Sequence, residues 1–322
     1  MSLDEFAFID KYFSQKSSLR KDVLLGIGDD AAIVQIPPAK QLVITVDTLV
    51  AGRHFPIDTS PREIGYKSLA VNLSDLAAMG ATPAWATLAI TLPVIDELWC
   101  EEFCQGFFEL LNQYHMQLIG GDTTHGHLSI TVQAFGFVDC NRAIRRDGAK
   151  AGDLIYVTGT LGDAGVGLAL VEDKVRLSED QSDYVMQRLN HPTPRVEVGR
   201  ALIGLASSSI DISDGLIGDL PHILNKSHVG ASININDLPL SRVVRKSLTD
   251  EDAWQLALTA GDDYELCFTT SPANKEKVKK IIESLNCPMT CIGFIEEQLG
   301  LRLLRSDGKL YTAKLKGYQH FE

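Results

Sequence analysis

Leu76 to Ile95 is a run of twenty residues with no charged side chain. A run of that length has to be hidden from water, in a bilayer or in a protein core. Gly80, Pro83 and Pro93 interrupt it, and Thr82, Thr87 and Thr91 dot it. A membrane helix would have to absorb all of these breaks. A helix ending at Gly80, a turn and a buried strand over residues 85–92 use them where the backbone needs them. The run therefore commits the chain to a folded core of helix packed on sheet. At 322 residues the chain exceeds the roughly 250–300 at which a single core stops growing, so two domains are expected.

Turn and capping residues order the rest. A helix is expected over residues 4–16. Strands are expected over residues 31–36 and 42–46, joined at Pro37-Pro38. Ser60 can cap a helix that has Pro61 at its first position and Gly80 beyond its end. Asp96 can cap a second helix reaching about Met116. A strand from Gln117 ends in Gly120-Gly121-Asp122, and another spans residues 128–138. The small, polar stretch Asp147–Asp153 reads as a linker, which gives domains 1–148 and 149–322. The second half opens with a strand over residues 154–158, then the turn Gly159–Gly162 and a helix. Ile210–Gly215 is a strand end feeding a helix. Helices and strands alternate, but strand runs also adjoin one another, so the fold class is α+β: two α/β domains with mixed sheets. Asn72-Leu73-Ser74-Asp75 faintly echoes Asp211-Ile212-Ser213-Asp214, too briefly to make a repeat.

A net charge of −12 excludes a basic nucleic-acid footprint. It leaves room for a phosphate substrate whose positive charge comes from metal ions. The N-terminus has neither the basic nor the apolar segment of a signal peptide. The six cysteines form no paired C-x-x-C knuckles and read as reduced core thiols. A cytoplasmic location and no membrane partner are expected.

Acidic residues recur where the backbone bends. Gly26-Ile27-Gly28-Asp29-Asp30-Ala31 matches G-x-G-x-x-A. A dinucleotide loop, however, offers backbone N–H groups at a helix start, whereas this one carries two carboxylates and runs into a strand. Thr45 and Asp47 share one strand face, with Val46 opposite. Ser68, Asn72 and Asp75 form one stripe on the first helix, free of long charged side chains after Lys67, and are expected to face a site. Gly120-Gly121-Asp122, Asp211-Ile212-Ser213-Asp214 and Ala260-Gly261-Asp262-Asp263 complete the set. Each alone could be an ordinary turn or cap. Together, Asp29, Asp30, Asp47, Asp75, Asp122, Asp211 and Asp214 are a donor set for hard cations such as Mg²⁺. No G-x-x-x-x-G-K-[ST] loop occurs, and no Ser-His-Asp or Cys-His pair has local support.

Seven ordered motifs carry a resemblance that runs nearly end to end. They are G-I-G-D-D-A-A (26–32), D-T-L-V-A-G-R-H-F (47–55), A-V-N-L-S-D-L-A-A-M-G (70–80), L-I-G-G-D-T-T (118–124), D-I-S-D-G-L (211–216), D-Y-E-L (263–266) and K-G-Y-x-H-F (316–321). With these the chain resembles the thiamine-monophosphate kinases, within the superfamily of aminoimidazole ribonucleotide synthetase. The resemblance implies aminoimidazole ribonucleotide synthetase-like N- and C-terminal domains. It implies ATP-dependent phosphorylation of thiamine monophosphate to thiamine diphosphate. It implies several Mg²⁺ ions held by Asp30, Thr45, Asp47, Asp75, Asp122, Asp211 and Asp214, with Val46 contributing backbone. It implies ATP contacts from Gly121, Asp122, Arg146 and Ser213, and thiamine-side contacts from His54, Asp262 and Tyr318. Asp47, Asp75, Asp122 and Arg146 would act by charge and position, with no general base. A homodimer through the N-terminal domains is implied too. Two positions depart from the family pattern: Asp262 stands where Glu is common, one methylene shorter, and Val46 where a hydroxyl residue is frequent. Other readings are another ATP-using member of the superfamily, a non-catalytic divalent-cation binder, and a nucleotide-dependent oxidoreductase resting on the G-x-G-x-x-A match alone.

Overall fold

The computed structural model describes residues 9, 11–14 and 18–314. Most of the helix expected over residues 4–16 lies outside the described residues, as does the whole K-G-Y-x-H-F tail with Tyr318. The described residues form two compact units. One comprises the chain up to Leu76 together with Ala81–Asn141, and the other comprises Ala77–Gly80 with the chain from Arg142 onward.

In the first unit, β1 (Val23–Leu25) and β2 (Ile33–Val34) form a short antiparallel hairpin. A four-stranded sheet follows, built from β3 (Lys40–Val50), β4 (Thr82–Leu92), β5 (Gln117–His125) and β6 (Ser129–Asp139) in the order β3-β6-β4-β5. Helix α1 (Pro61–Ala78) precedes β4, and α2 (Glu97–Gln113) links β4 to β5. That linking helix is why β4 and β5 pair in parallel while the other pairs are antiparallel. Asp96 caps α2 as expected, accepting from the Leu98 and Trp99 N–H groups. The two helices cross at glycines. A Cβ on Gly65 would sit 2.1 Å from the Phe103 carbonyl oxygen, and one on Gly106 would sit 1.9 Å from that of Arg62. Helix α1 is apolar nearly all round, with Leu69, Leu73 and Leu76 fully buried, as suits a helix inside a core.

In the second unit a six-stranded sheet has the order β12-β9-β11-β7-β10-β8. Its strands are β7 (Leu154–Thr158), β8 (Ala206–Ile212), β9 (Gly230–Asn234), β10 (Glu265–Thr270), β11 (Met289–Glu296) and β12 (Gly300–Leu304). Only β12 and β9 pair in parallel. The helices are α3 (Asp163–Val171), α4 (Glu179–Asn190), α5 (Val196–Ala201), α6 (Leu216–Ser227), α7 (Arg242–Ser247), α8 (Asp250–Thr259) and α9 (Lys275–Ser284). Its core gathers β-sheet residues such as Ile155, Ile210 and Ile233 with Leu216, Leu220 and Ile223 of α6. Both units are helix on mixed sheet, the α+β class that the alternation of elements predicts.

The structure departs from the sequence expectations at several elements. The strand expected over residues 31–36 shrinks to Ile33–Val34, while that expected over 42–46 grows to Lys40–Val50. Every residue of β3 has a partner on β6, from Lys40 opposite Asp139 to Val50 opposite Ser129. Ladder bonds use main-chain groups and so extend past the apolar segment that the side chains mark. Asp47 therefore lies inside a strand, not at its end. For the same reason β5 runs through Gly120-Gly121-Asp122 to His125, paired with β4. The echo between residues 72–75 and 211–214 is not structural, since the first lies in α1 and the second leaves β8. Of the cysteines, Cys100, Cys104, Cys267 and Cys287 are buried, but Cys140 and Cys291 are exposed.

Candidate active site

Two sequence motifs of the first unit, residues 26–32 and 118–124, meet around one cavity of about 720 Å³. The loop after β1 supplies Asp29 and Asp30, β5 supplies Gly121 and Asp122, and Ile27, Leu88 and Ile119 add apolar wall. The loop is shaped by Gly28, whose φ of 119° is open to glycine alone, and by Asp29 Oδ1, which accepts the Asp30 N–H at 2.8 Å. No helix follows it, which removes the dinucleotide reading of G-x-G-x-x-A. Gly121 is required by its neighbour, because a Cβ there would lie 1.8 Å from the Leu88 carbonyl oxygen. The cavity lining thus combines exposed carboxylates, glycines and apolar side chains.

Thr45 and Asp75 meet as well. The Thr45 hydroxyl donates to the Asp75 carboxylate, joining β3 to α1. The polar stripe on α1 is only in part what its spacing suggests. Ser68 Oγ donates to the Gly65 carbonyl at 2.9 Å, and Asn72 Nδ2 to that of Ser68 at 3.1 Å, both buried. These two side chains bond back to their own helix, which leaves the buried Asn72 Oδ1 without a hydrogen-bond partner among the described residues, and of the stripe Asp75 is the member that reaches the sheet. Asp47 is half-buried on the same face of β3 as Thr45, whereas the Val46 side chain points to the other face and is 56% exposed. His54 follows β3, and its Nδ1 accepts the Val50 N–H at 3.0 Å. A neutral ring in that position carries its proton on Nε2.

In the second unit the Ser213-Asp214 turn between β8 and α6 is the centre of the arrangement. Asp219 Oδ2, from the first turn of α6, accepts the N–H groups of Ser213 and Asp214 at 3.0 Å each. Burial pushes the Asp219 carboxyl up to about 7. The Asp214 amide offsets this, the Asp214 charge adds to it, and the Ser213 amide and the Arg146 charge offset it further. Arg146 is thus within electrostatic reach of this turn. Its carbonyl is held by Ser227 Oγ at 2.8 Å, at the far end of α6. The Ser213 carbonyl accepts the Asp262 N–H at 2.9 Å, and the Ile212 carbonyl accepts that of Tyr264 at 2.8 Å. The Tyr264 hydroxyl donates to Asp262 Oδ1 at 3.0 Å. Asp262 and Tyr264 both have left-handed backbones, with φ of 67° and 48°. Strain of this kind persists where surrounding contacts over-determine it. Asp211, Ser213, Asp214, Arg146 and Asp262 are therefore gathered within this unit.

Comparison with known proteins decides what these arrangements belong to. A family model described as AIR synthase related protein, N-terminal domain, matches residues 28–138, and the corresponding C-terminal domain matches residues 150–304. The thiamine-monophosphate kinase of Escherichia coli (strain K12) is 50% identical over 323 residues, covering 100% of this chain and 99% of the relative. The chain belongs to the thiamine-monophosphate kinase family. The thiamine-monophosphate kinase of Bacillus subtilis (strain 168) is 35% identical, over 99% of this chain and 100% of that one. Among solved structures, thiamine-monophosphate kinase from Stenotrophomonas maltophilia K279a superposes with a TM-score of 0.88 at 46% identity, over 97% of this chain and 99% of that one. AaThiL complexed with AMPPCP and TMP superposes with a TM-score of 0.77 at 32% identity, over 100% of this chain and 99% of that one.

In this member of the thiamine-monophosphate kinase family, the D-Y-E-L motif does work that its sequence does not reveal. Glu265 is fully buried and accepts from Arg195 at 2.5 and 2.6 Å, from Arg188 at 2.9 Å and from Thr158 Oγ1 at 2.6 Å. Asp263 accepts the Gly162 N–H at 2.7 Å, and burial pushes its carboxyl up to about 8. Asp163, also buried, accepts from Thr160 Oγ1 at 2.5 Å and from Tyr184 at 3.1 Å. This network fixes the glycine-rich turn after β7 against β10. Sequence reasoning singled out neither Asp219 nor the Glu265 partners. Acidic residues in the D-Y-E-L and Gly159–Asp163 motifs were a signal, but arginines distant in sequence gave none.

The donor chemistry fits Mg²⁺. The side chains of the implied metal set, Asp30, Thr45, Asp47, Asp75, Asp122, Asp211 and Asp214, are oxygen donors throughout, six carboxylates with one threonine hydroxyl, as a hard cation takes. Among the described residues no group of three or more His, Cys, Asp or Glu side chains could hold a metal ion alone. Mg²⁺ does not need such a cage, since it commonly binds one or two carboxylates and completes its shell with water and substrate phosphate.

Proposed function

We propose that this chain transfers the γ-phosphoryl group of ATP to thiamine monophosphate, giving thiamine diphosphate and ADP in the last step of thiamine diphosphate biosynthesis. The observation that carries this reading is the end-to-end likeness to AaThiL, solved with AMPPCP and TMP together. The acceptor is a phosphate monoester, whose second pKa of about 6 leaves it largely ionised at pH 7. No general base is needed, and the chemical problem is to bring two anions together. Mg²⁺, when bound, would supply the positive charge that screens them; Asp30, Thr45, Asp47, Asp75 and Asp122 with the Val46 carbonyl would hold it in the first unit, and Asp211 and Asp214 in the second. Gly121 lets phosphate approach the backbone, and Arg146 and Ser213 contact the nucleotide. His54, Asp262 and Tyr318 contact the thiamine side. Transfer is direct and in line, by positioning and electrostatics, with no phospho-enzyme.

The active form is a homodimer in the cytoplasm. The exposed Ile44 and Val46 side chains on β3, 53% and 56% accessible, support an N-terminal interface. Among the described residues no helix is long and apolar enough to cross a membrane.

The test is incubation of purified protein with ATP, Mg²⁺ and thiamine monophosphate, with an EDTA control and the aminoimidazole ribonucleotide precursor as rival substrate. Metal-dependent thiamine diphosphate and ADP are expected. Turnover of the rival alone would move the chain to another activity of the superfamily.

A further inference from the structure

We propose that Asp219 is a positioning residue, whose one buried carboxylate oxygen sets the turn presenting Ser213 and Asp214. The proposal rests on the reading above, in which Ser213 contacts the nucleotide and Asp214 holds Mg²⁺. Asp219 sits inside α6 and is 4% exposed, yet both its bonds run backwards to N–H groups that precede the helix. It is therefore not a helix cap, because the N–H groups a helix leaves open belong to its own first residues. Both N–H groups converge on the same atom, Oδ2, at 3.0 Å. The turn is fixed on its other sides too. The Ser213 carbonyl is taken by the Asp262 N–H at 2.9 Å, and Gly215 packs so closely that a Cβ would lie 2.7 Å from the Thr259 carbonyl carbon. Both Ser213 backbone groups are thus engaged within the unit, and Ser213 and Asp214 are half-buried. The Asp214 carboxylate is carried by the same peptide plane that Asp219 orients. A buried carboxylate is costly unless something repays its desolvation, and here what it organises is the turn.

The geometry predicts an unusual ranking of substitutions. Asp219→Asn keeps one carbonyl oxygen able to accept both N–H groups, and should keep the turn without the charge. Asp219→Glu keeps the charge but moves the oxygen by one methylene, and should lose the turn. Asp219→Ala removes the acceptor. The measurement is kcat and KM for ATP with thiamine monophosphate and Mg²⁺, beside hydrogen exchange of the Ser213 and Asp214 amides in the ligand-free protein. Ala and Glu are expected to lower kcat/KM by about 10²-fold, the scale of a 1 Å misplacement, with a raised KM for ATP and faster exchange at both amides. Asn should stay near the native values. A merely structural role would lower kcat through a smaller folded fraction and leave KM unchanged. A Glu variant as active as the native protein, or an Asn variant as poor as Glu, overturns the proposal, and this pair decides even if Ala fails to fold. If the native protein makes no thiamine diphosphate, the functional reading fails instead, and amide exchange still tests the positioning role.

Discussion

The acidic residues of the two units live in opposite surroundings. In the first unit Asp29, Asp30 and Asp122 are exposed in the cavity lining, and Asp47 and Asp75 are half-buried. In the second, Asp163, Asp211, Asp219, Asp263 and Glu265 are each 5% exposed or less. A buried carboxylate survives only with hydrogen bonds or counter-charges around it. Glu265 accordingly has two arginines and Asp219 two backbone amides. An exposed carboxylate needs no such support and remains available to a cation. Asp211 is the exception, a buried acid placed in the proposed metal set; otherwise the contrast separates acids that build the frame from acids that would work on a ligand, a division that residue type alone does not make.

The comparison breaks most readily at Glu265. Glu265→Ala leaves Arg188 and Arg195 without their buried partner, and should cost about 3–5 kcal/mol of stability, read as a lowered denaturant midpoint. A midpoint within experimental error of the native protein would show that the network is ornamental.

Asp122→Asn should do the reverse. Its kcat/KM is expected to fall by about 10²–10³-fold, the scale for losing one preorganised electrostatic group, while the melting temperature stays close to native. Asp75→Asn should behave similarly in kcat. Near-normal turnover in both variants would remove these residues from the metal set.

Thr45→Val sharpens the boundary between the classes, because Asp75 keeps its place but loses the Thr45 hydroxyl. A stability loss of about 1 kcal/mol is expected for one such bond, with a larger effect on activity than on folding. An equal fall in both would place Thr45 in the frame.

The smallest effect is a pH slope. Asp263 titrates near 8 in the folded protein and near 3.9 when unfolded. Between those values the folded chain holds a proton that the unfolded chain has lost, so stability present at low pH is lost as pH rises through about 8. Asp219, near 7, acts in the same direction. Urea midpoints at pH 5.5, 7 and 8.5 should therefore decline, and Asp263→Asn should flatten the decline. Parallel slopes in the two proteins would assign the titration elsewhere.

Sequence by itself determined the class of the fold, because periodicity, caps and turns are local. Asp96 caps its helix, Gly80 follows another, and the strand over residues 154–158 begins and ends where its apolar run does. The glycine–aspartate bends also marked where ligand chemistry belongs, since a glycine beside an acid is visible without a structure. Tertiary structure decided how far the strands run. Asp47 and Asp122 fall inside β3 and β5 because neighbouring strands supply main-chain partners that no side-chain pattern records. It also decided which acids are buried. Arg195 lies 70 residues from Glu265, and burial and counter-charge are properties of such distant neighbours. A sequence names the carboxylate, but only packing sets whether water, an arginine or a cation stands beside it.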